Sequence, residues 1–366
     1  MTARRSRAGL AAVIAGIASV AASGAVQDPL APLPSGRSAA AASVAARPAV
    51  TQGAPRYLSE RLDALGSQFN GRVGIAARSV NDGWQTGWHG DELYPQQSVS
   101  KLWVSITALD AVDKGRVRLS DTVTFDRGDL TLFHQPIAAQ ILGGGYTSTL
   151  SELMIKAITT SDNTANDKLM RSVGGAPAVR SMIAAKGLGA IRFYDGERAL
   201  QSRIAGLIWS PGFSIGNAFA QARDALPKAL RKAAFDRYVE DPYDGAAPSA
   251  IVTALARLKR GELLSPGSTA RLLTIMAKTK TGKNRLRGGL KPGWTLSHKT
   301  GTGQVLGPVQ AGYNDIGILT APDGRSYAVA VMIKKTSTPL PTRMTLMNNV
   351  VRAVITQHEM TYGAAG

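Results

Sequence analysis

The sequence predicts an α+β fold, an α/β sandwich in which a mostly antiparallel five-stranded sheet is flanked by helices and an all-helical half is inserted. Three observations carry this expectation. Short alternating segments stand at both ends of the chain, at residues 72–80 and 83–89 and again at 293–302, 312–320 and 326–334. Turn signals join neighbours among them, Asn81-Asp82-Gly83 in the first pair and Pro322-Asp323-Gly324 in the last. Segments of helical period fill the interval between the two strand groups.

Each element follows from local signals. Arg4, Arg5 and Arg7 precede an uncharged, Ala-rich run over 9–22 and the small residues Ser23-Gly24-Ala25. This reads as a secretory signal peptide over 1–25, since roughly fourteen mostly small residues are too few to span a bilayer. Residues 26–55 are rich in Ala, Pro and Ser and read as a linker. The folded domain is expected over 56–362, with its sheet half at about 56–114 and 271–362. The helical half is expected at about 115–270, with an insertion at about 205–244. Residues 57–65 are amphipathic and open the domain as a helix. A helix over 98–112 places Ile106, Leu109 and Val112 toward a core and stops at Gly115. Two more helices, 150–158 and 164–173, flank a polar loop at Ser161-Asp162-Asn163. A basic helix-like segment covers 218–239, a helix covers 269–276, and an amphipathic helix over 342–355 finishes the domain.

Composition excludes several chemistries. The chain has no cysteine, which removes disulfides, thiol nucleophiles and thiolate metal sites. Its histidines, His89, His134, His298 and His358, have no paired metal spacing, so no cofactor or metal is expected. The formal charge of +18 falls only to +15 without the three leader arginines. The positive residues are scattered rather than gathered into a stripe, so weak attraction to anionic envelope polymers is expected and nucleic-acid binding is not.

The chemistry lies in three short segments. Ser98-Val99-Ser100-Lys101 puts a hydroxyl nucleophile near a helix start and an amine three positions on, on the same face. A serine hydroxyl needs a neighbour to take its proton, and a desolvated lysine can do so. In the second segment, Ser161 can relay a proton to a leaving nitrogen and Asn163 can hydrogen-bond a substrate amide. The third segment, Lys299-Thr300-Gly301, lies on the alternating run 294–302. There Lys299 and Thr300 would attract a substrate carboxylate, and Gly301 would let a substrate backbone approach the strand edge. Two look-alikes are set aside. Lys280-Thr281-Gly282 follows a helix without strand alternation and is assigned to a solvated loop. Gly212-Phe213-Ser214-Ile215-Gly216 matches a nucleophile elbow, but Pro211 stands where the buried strand should end.

With all three segments in order, the chain resembles the class A serine β-lactamases over roughly residues 57–360. The likeness extends to Gly293-Trp294, Tyr313-Asn314-Asp315-Ile316, and Thr281-Gly282 with Arg285 and Arg287. It implies an acyl-enzyme on Ser98, with an oxyanion hole from the backbone N–H groups of Ser98 and Thr302. It also implies a deacylating glutamate on an Ω-shaped loop, which Glu197 fits, with Gln201 where asparagine is usual. Phe133 is a further candidate substrate contact, and Arg343 a second partner for the substrate carboxylate.

Two departures qualify the likeness. Asp195 replaces the usual loop arginine, so the salt bridge to an aspartate near Asp244 is expected to be lost, with Arg192 as the candidate substitute. Roughly thirty extra residues stand between Gln201 and Pro248. The implied function is an exported, periplasmic or secreted serine hydrolase that opens β-lactam rings, expected to be a monomer without a stable membrane span. A penicillin-binding DD-peptidase-like enzyme and a non-catalytic envelope-binding relative are the alternatives.

Overall fold

The computed structural model describes residues 53–363. The signal peptide and nearly all of the linker lie outside the described residues. Among the described helices, none is long and apolar enough to cross a membrane.

The chain enters through α1 (Arg56–Ser67), which buries Leu58, Leu62 and Leu65 at helical spacing. It continues through strands β1 (Arg72–Ser79), β2 (Gln85–Trp88) and β3 (Tyr94–Pro95). A single 3-10 turn, Gln97–Ser100, leads into α2 (Lys101–Asp113). Ser98 therefore sits on a tight turn just ahead of the α-helix expected to begin at residue 98. That helix is also less one-sided than its sequence suggests: residues from Lys101 to Ala111 are all buried, because it runs through the middle of the molecule.

The helical half follows. It contains β4 (Thr122–Phe125), α3 (Ala138–Leu142), β5 (Tyr146–Thr149), α4 (Leu150–Thr159), α5 (Asn163–Ser172) and α6 (Gly175–Ala185). Thr149 and Glu152 cap α4 reciprocally. α7 (Glu197–Ala205) starts on Glu197. The basic segment expected as one helix is two, α8 (Ala218–Asp224) and α9 (Lys228–Glu240), divided at Pro227. Proline supplies no N–H and keeps the residue before it out of the helical region. Then come β6 (Gly245–Ala246), α10 (Pro248–Lys259) and α11 (Pro266–Ala277).

The chain closes with β7 (Thr295–Thr302), β8 (Val305–Leu306), β9 (Val309–Thr320), β10 (Ser326–Thr336) and α12 (Leu340–Tyr362). α12 outlasts its expected end at residue 355 because Gln357 and His358 are also buried, His358 accepting or donating at 2.9 Å to the Tyr327 hydroxyl.

The main sheet runs β2-β1-β10-β9-β7, with the two-residue β8 pairing to β9 as a sixth member beyond the five expected. Every pairing in it is antiparallel. Both faces are covered, so β10 alternates between two cores. Val329, Val331 and Ile333 pack with α1 and α12, while Ala328, Ala330 and Met332 pack with α2 and α10. Fully burying each large aliphatic side chain contributes about 2 kcal/mol. This double burial fixes the sheet against α2, and with it the turn that carries Ser98 relative to the edge strand β7.

Candidate active site

A cleft of about 510 Å³ opens where the Ser98 turn, the start of α5, the start of α7 and β7 converge. Its walls include Ser98, Phe133, Ser161, Asn163, Glu197, Gln201, Thr300 and Thr302. Lys101 lies behind the nucleophile and is fully buried. Its Nζ donates to Ser98 Oγ at 2.7 Å and to Asn163 Oδ1 at 2.8 Å, and it makes a close ion pair with Glu197 Oε1.

The polar loop at Ser161-Asp162-Asn163 is a helix cap. Ser161 takes the left-handed conformation at φ 62°, which turns its hydroxyl into the cleft. Asp162 is the cap: it accepts from Ala165 N at 2.8 Å and from Ile137 N at 2.9 Å. The middle residue of this motif therefore builds the backbone, and its two neighbours face the cleft.

β7 is an edge strand, paired only with β9. Lys299 is fully buried, and its Nζ donates to Ser161 Oγ and to the Thr300 carbonyl, both at 2.9 Å. Burial, reinforced by the nearby Lys101 charge, holds its pKa well below the usual lysine value. Lys299 stands behind the lining, and the side chains of Ser161, Thr300 and Thr302 face the cleft in front of it. A Cβ at Gly301 would lie 2.2 Å from the Gln96 carbonyl, so its absence lets the Ser98 turn approach the strand.

Arg343 is not part of the cleft. Its guanidinium is buried against the Thr338 carbonyl and Gln310, a correction to its expected role. The cleft's arginine is Arg285, which donates to Thr302 Oγ1 at 2.6 Å and to the Gly301 and Asn314 carbonyls while stacking on Tyr313. Thr281 and Gly282 also line the cleft, with Thr281 Oγ1 2.7 Å from Thr300 Oγ1. Only Lys280 of that look-alike points to solvent. In the other look-alike, Ser214 closes a 3-10 turn by donating to the Pro211 carbonyl.

Phe133 is half exposed at the cleft and meets Phe219 of α8 edge-on, 5.3 Å between centroids, so the insertion reaches the cleft wall. Asp195 pairs with Arg180 on the surface, and Arg192 reaches Asp241 at 2.5 Å. Among the described residues, Asp244 has no cationic partner. Its carboxylate instead accepts from Gln97 N at 2.7 Å and from the Tyr238 hydroxyl at 2.9 Å.

Burial pushes the Asp244 carboxyl up to about 7, with a smaller contribution from the Glu197 charge. The native state therefore keeps a proton that the unfolded chain releases near pH 4. The stability this confers is complete below that pH and is lost as pH rises through about 7, a span of about 4 kcal/mol. Denaturant unfolding at pH 5 and pH 8 should show the parent losing more stability than Asp244→Asn. Equal losses would assign the titration elsewhere.

Comparison with known proteins follows the same lines. A profile described as the beta-lactamase enzyme family matches residues 57–358. The chain belongs to the beta-lactamase enzyme family. It is 28% identical over 278 residues to the extended-spectrum beta-lactamase PER-1 of Pseudomonas aeruginosa, covering 76% of this chain and 79% of that protein. It is 25% identical over 264 residues to beta-lactamase VEB-1 of the same organism, covering 72% and 78%. Among solved structures, the ancestral (GNCA) class A beta-lactamase superposes with a TM-score of 0.66 at 29% identity, covering 82% of this chain and 99% of that one.

Several residues around the family's cleft escaped the sequence reading. Asp167 accepts from the backbone N–H groups of Glu197 and Arg198, at 3.0 and 3.4 Å, and so pins the start of α7. Its place four residues after Asn163, on the same helical face, is a signal that could have found it. Gln304 donates to Gln201 at 2.8 and 3.0 Å, and no local pattern marks it. Among the described residues, no group of three or more His, Asp or Glu side chains is arranged to hold a metal ion.

Proposed function

We propose that this enzyme hydrolyses β-lactams through an acyl-enzyme on Ser98 and a deacylation step assisted by Glu197. The observation that carries the proposal is the shared position of Lys101, 2.7 Å from Ser98 Oγ and paired with Glu197 in a closed, buried contact. A buried ion pair is costly, so moving the Lys101 proton to Glu197 leaves a neutral pair and frees an amine lone pair for the Ser98 proton. Ser98 Oγ then attacks the lactam carbonyl, whose oxygen is received by the backbone N–H groups of Ser98 and Thr302. Ser161, held by Lys299, passes a proton to the departing lactam nitrogen as the ring opens. Thr300, Thr302 and Arg285 receive the substrate carboxylate, and Asn163 the substrate amide. The proton that Lys101 took from Ser98 resupplies Ser161, and Glu197 returns its own proton to Lys101, so that it is again a carboxylate. In the second half-reaction Glu197 takes a proton from water as the water oxygen attacks the ester, and that proton passes to Ser98 Oγ as the acyl group leaves. Gln201, within 3.3 Å of Glu197 Oε2, orients that carboxylate.

The names of the relatives support this substrate class. Export, with cleavage of a signal peptide over 1–25, belongs to the same proposal and suits a substrate met outside the cytoplasm. Purified protein mixed with nitrocefin should hydrolyse it steadily over many equivalents. A single stoichiometric burst would indicate a DD-peptidase-like enzyme that β-lactams acylate and hardly leave. No reaction would indicate a non-catalytic relative.

A further inference from the structure

The insertion contributes one polar side chain to the interior behind the cleft. Tyr238 lies on α9 and is fully buried in a small core with Phe235, Val239, Leu200 and Ile204, which fastens α9 to α7. Its hydroxyl donates to Asp244 Oδ1 at 2.9 Å and accepts from Gln97 Nε2 at 2.5 Å. Gln97 Oε1 in turn accepts from Gln201 Nε2 at 3.0 Å, and the same Gln201 nitrogen donates to Glu197 Oε2 at 3.3 Å. Gln97 immediately precedes the nucleophile and is held at φ 54°, with its own N–H on Asp244 Oδ2.

The direction of each bond in this chain depends on the one before it. The Gln97 N–H occupies Asp244 Oδ2, so wherever Asp244 is ionised, above about pH 7, the phenol gives its only proton to Oδ1 and can only accept from Gln97. The Gln97 amide must then turn its NH₂ toward Tyr238 and its oxygen toward Gln201. Gln201 answers with its NH₂, which is thereby aimed at Glu197. Without the phenol oxygen the Gln97 amide is free to reverse and would set two NH₂ groups against each other. We infer that Tyr238 is a positioning residue for deacylation, by which the insertion fixes the orientation of the Gln97–Gln201 chain that holds Glu197. It takes over at Asp244 the fastening that the missing loop arginine would otherwise supply.

This inference rests on Glu197 being the deacylation base, and the test separates the two. Tyr238→Phe keeps the ring and its packing and removes one oxygen. Rapid-quench acylation and single-turnover deacylation of a penicillin adduct are measured on the full-length protein, with Glu197→Gln alongside. Acylation by Tyr238→Phe should stay within about twofold of the parent, while deacylation slows about tenfold or more and the adduct accumulates on the intact protein. Adding Tyr238→Phe to Gln201→Ala should slow deacylation no further, since both break one chain. Parental deacylation in Tyr238→Phe, with Glu197→Gln stalled, overturns the relay alone. Equal slowing of both half-reactions also overturns it, in favour of a packing role. Parental deacylation in Glu197→Gln overturns the base assignment itself. Should Tyr238→Phe fail to fold, Gln97→Met removes the same amide and is read against the same outcomes.

Discussion

Ser98→Ala should give a folded protein that no longer forms a penicillin adduct, with kcat down by on the order of a millionfold, the scale expected when a serine hydrolase loses its nucleophile. The fold should survive because the hydroxyl's hydrogen bond in the described structure is the one from Lys101 Nζ, and that ammonium retains Asn163 and Glu197. A change of roughly 1 kcal/mol or less in unfolding free energy is expected. Intact-mass measurement after incubation with penicillin decides the matter, since an adduct on the Ser98→Ala protein would place the nucleophile elsewhere. Ser214, the only other serine in a nucleophile-like pattern, is closed into its own turn and offers no replacement.

Glu197→Ala should acylate at Ser98 and then stall, deacylation falling by about 10²–10⁴-fold, the usual range for a positioned general base. A penicilloyl adduct should persist on the intact protein for hours. The same change strips Lys101 of its buried counter-ion, which typically costs about 3–5 kcal/mol when one partner of such a pair is removed. Glu197→Gln, which retains a hydrogen-bonding oxygen, is the better-folded comparison and should stall equally. The acylation rate in these variants carries separate information. If it is preserved, Lys101 suffices as the base toward Ser98. If it collapses together with deacylation, Glu197 acts in both steps. Turnover at the parental rate would mean that water is activated elsewhere. Glu240 is poorly placed for that, since it pairs with Arg72 on an exposed surface.

What could be read in the sequence was what depends on short spacing. Three helical positions separate Ser98 from Lys101, and the alternation over 294–302 marked a strand with Lys299 and Thr300 upon it. Glu197 and Gln201 are one helical turn apart on α7, so their contact also follows from spacing. The errors came where a side chain's partner lies far along the chain. The charge of Arg343 near the start of the last helix suits a carboxylate, but Thr338 and Gln310 enclose it. Nothing local to Gly301 shows that the Gln96 carbonyl, some two hundred residues earlier, packs against it. Likewise the roughly thirty extra residues read only as basic and helix-like. No periodicity distinguishes Tyr238, which turns inward to Asp244, from Tyr243 five residues later.

The strand order carries a consequence for how the molecule is made. β1 is among the first elements synthesised, yet its partner β10 comes about 260 residues later, Arg72 standing opposite Lys335. Until then β1 can pair only with β2, and its other edge is an apolar strand without a neighbour. The Ser98 turn is likewise fastened from afar, by the Asn314 side chain on the Pro95 and Gln96 carbonyls. Neither the sheet nor the nucleophile's turn can close on a nascent chain still tethered near its middle. Folding must wait for the complete polypeptide and should be slow for a protein of this size. If the chain is exported as proposed, this delay is useful, because a polypeptide that stays unpaired until its last strands appear remains able to cross a membrane before it folds.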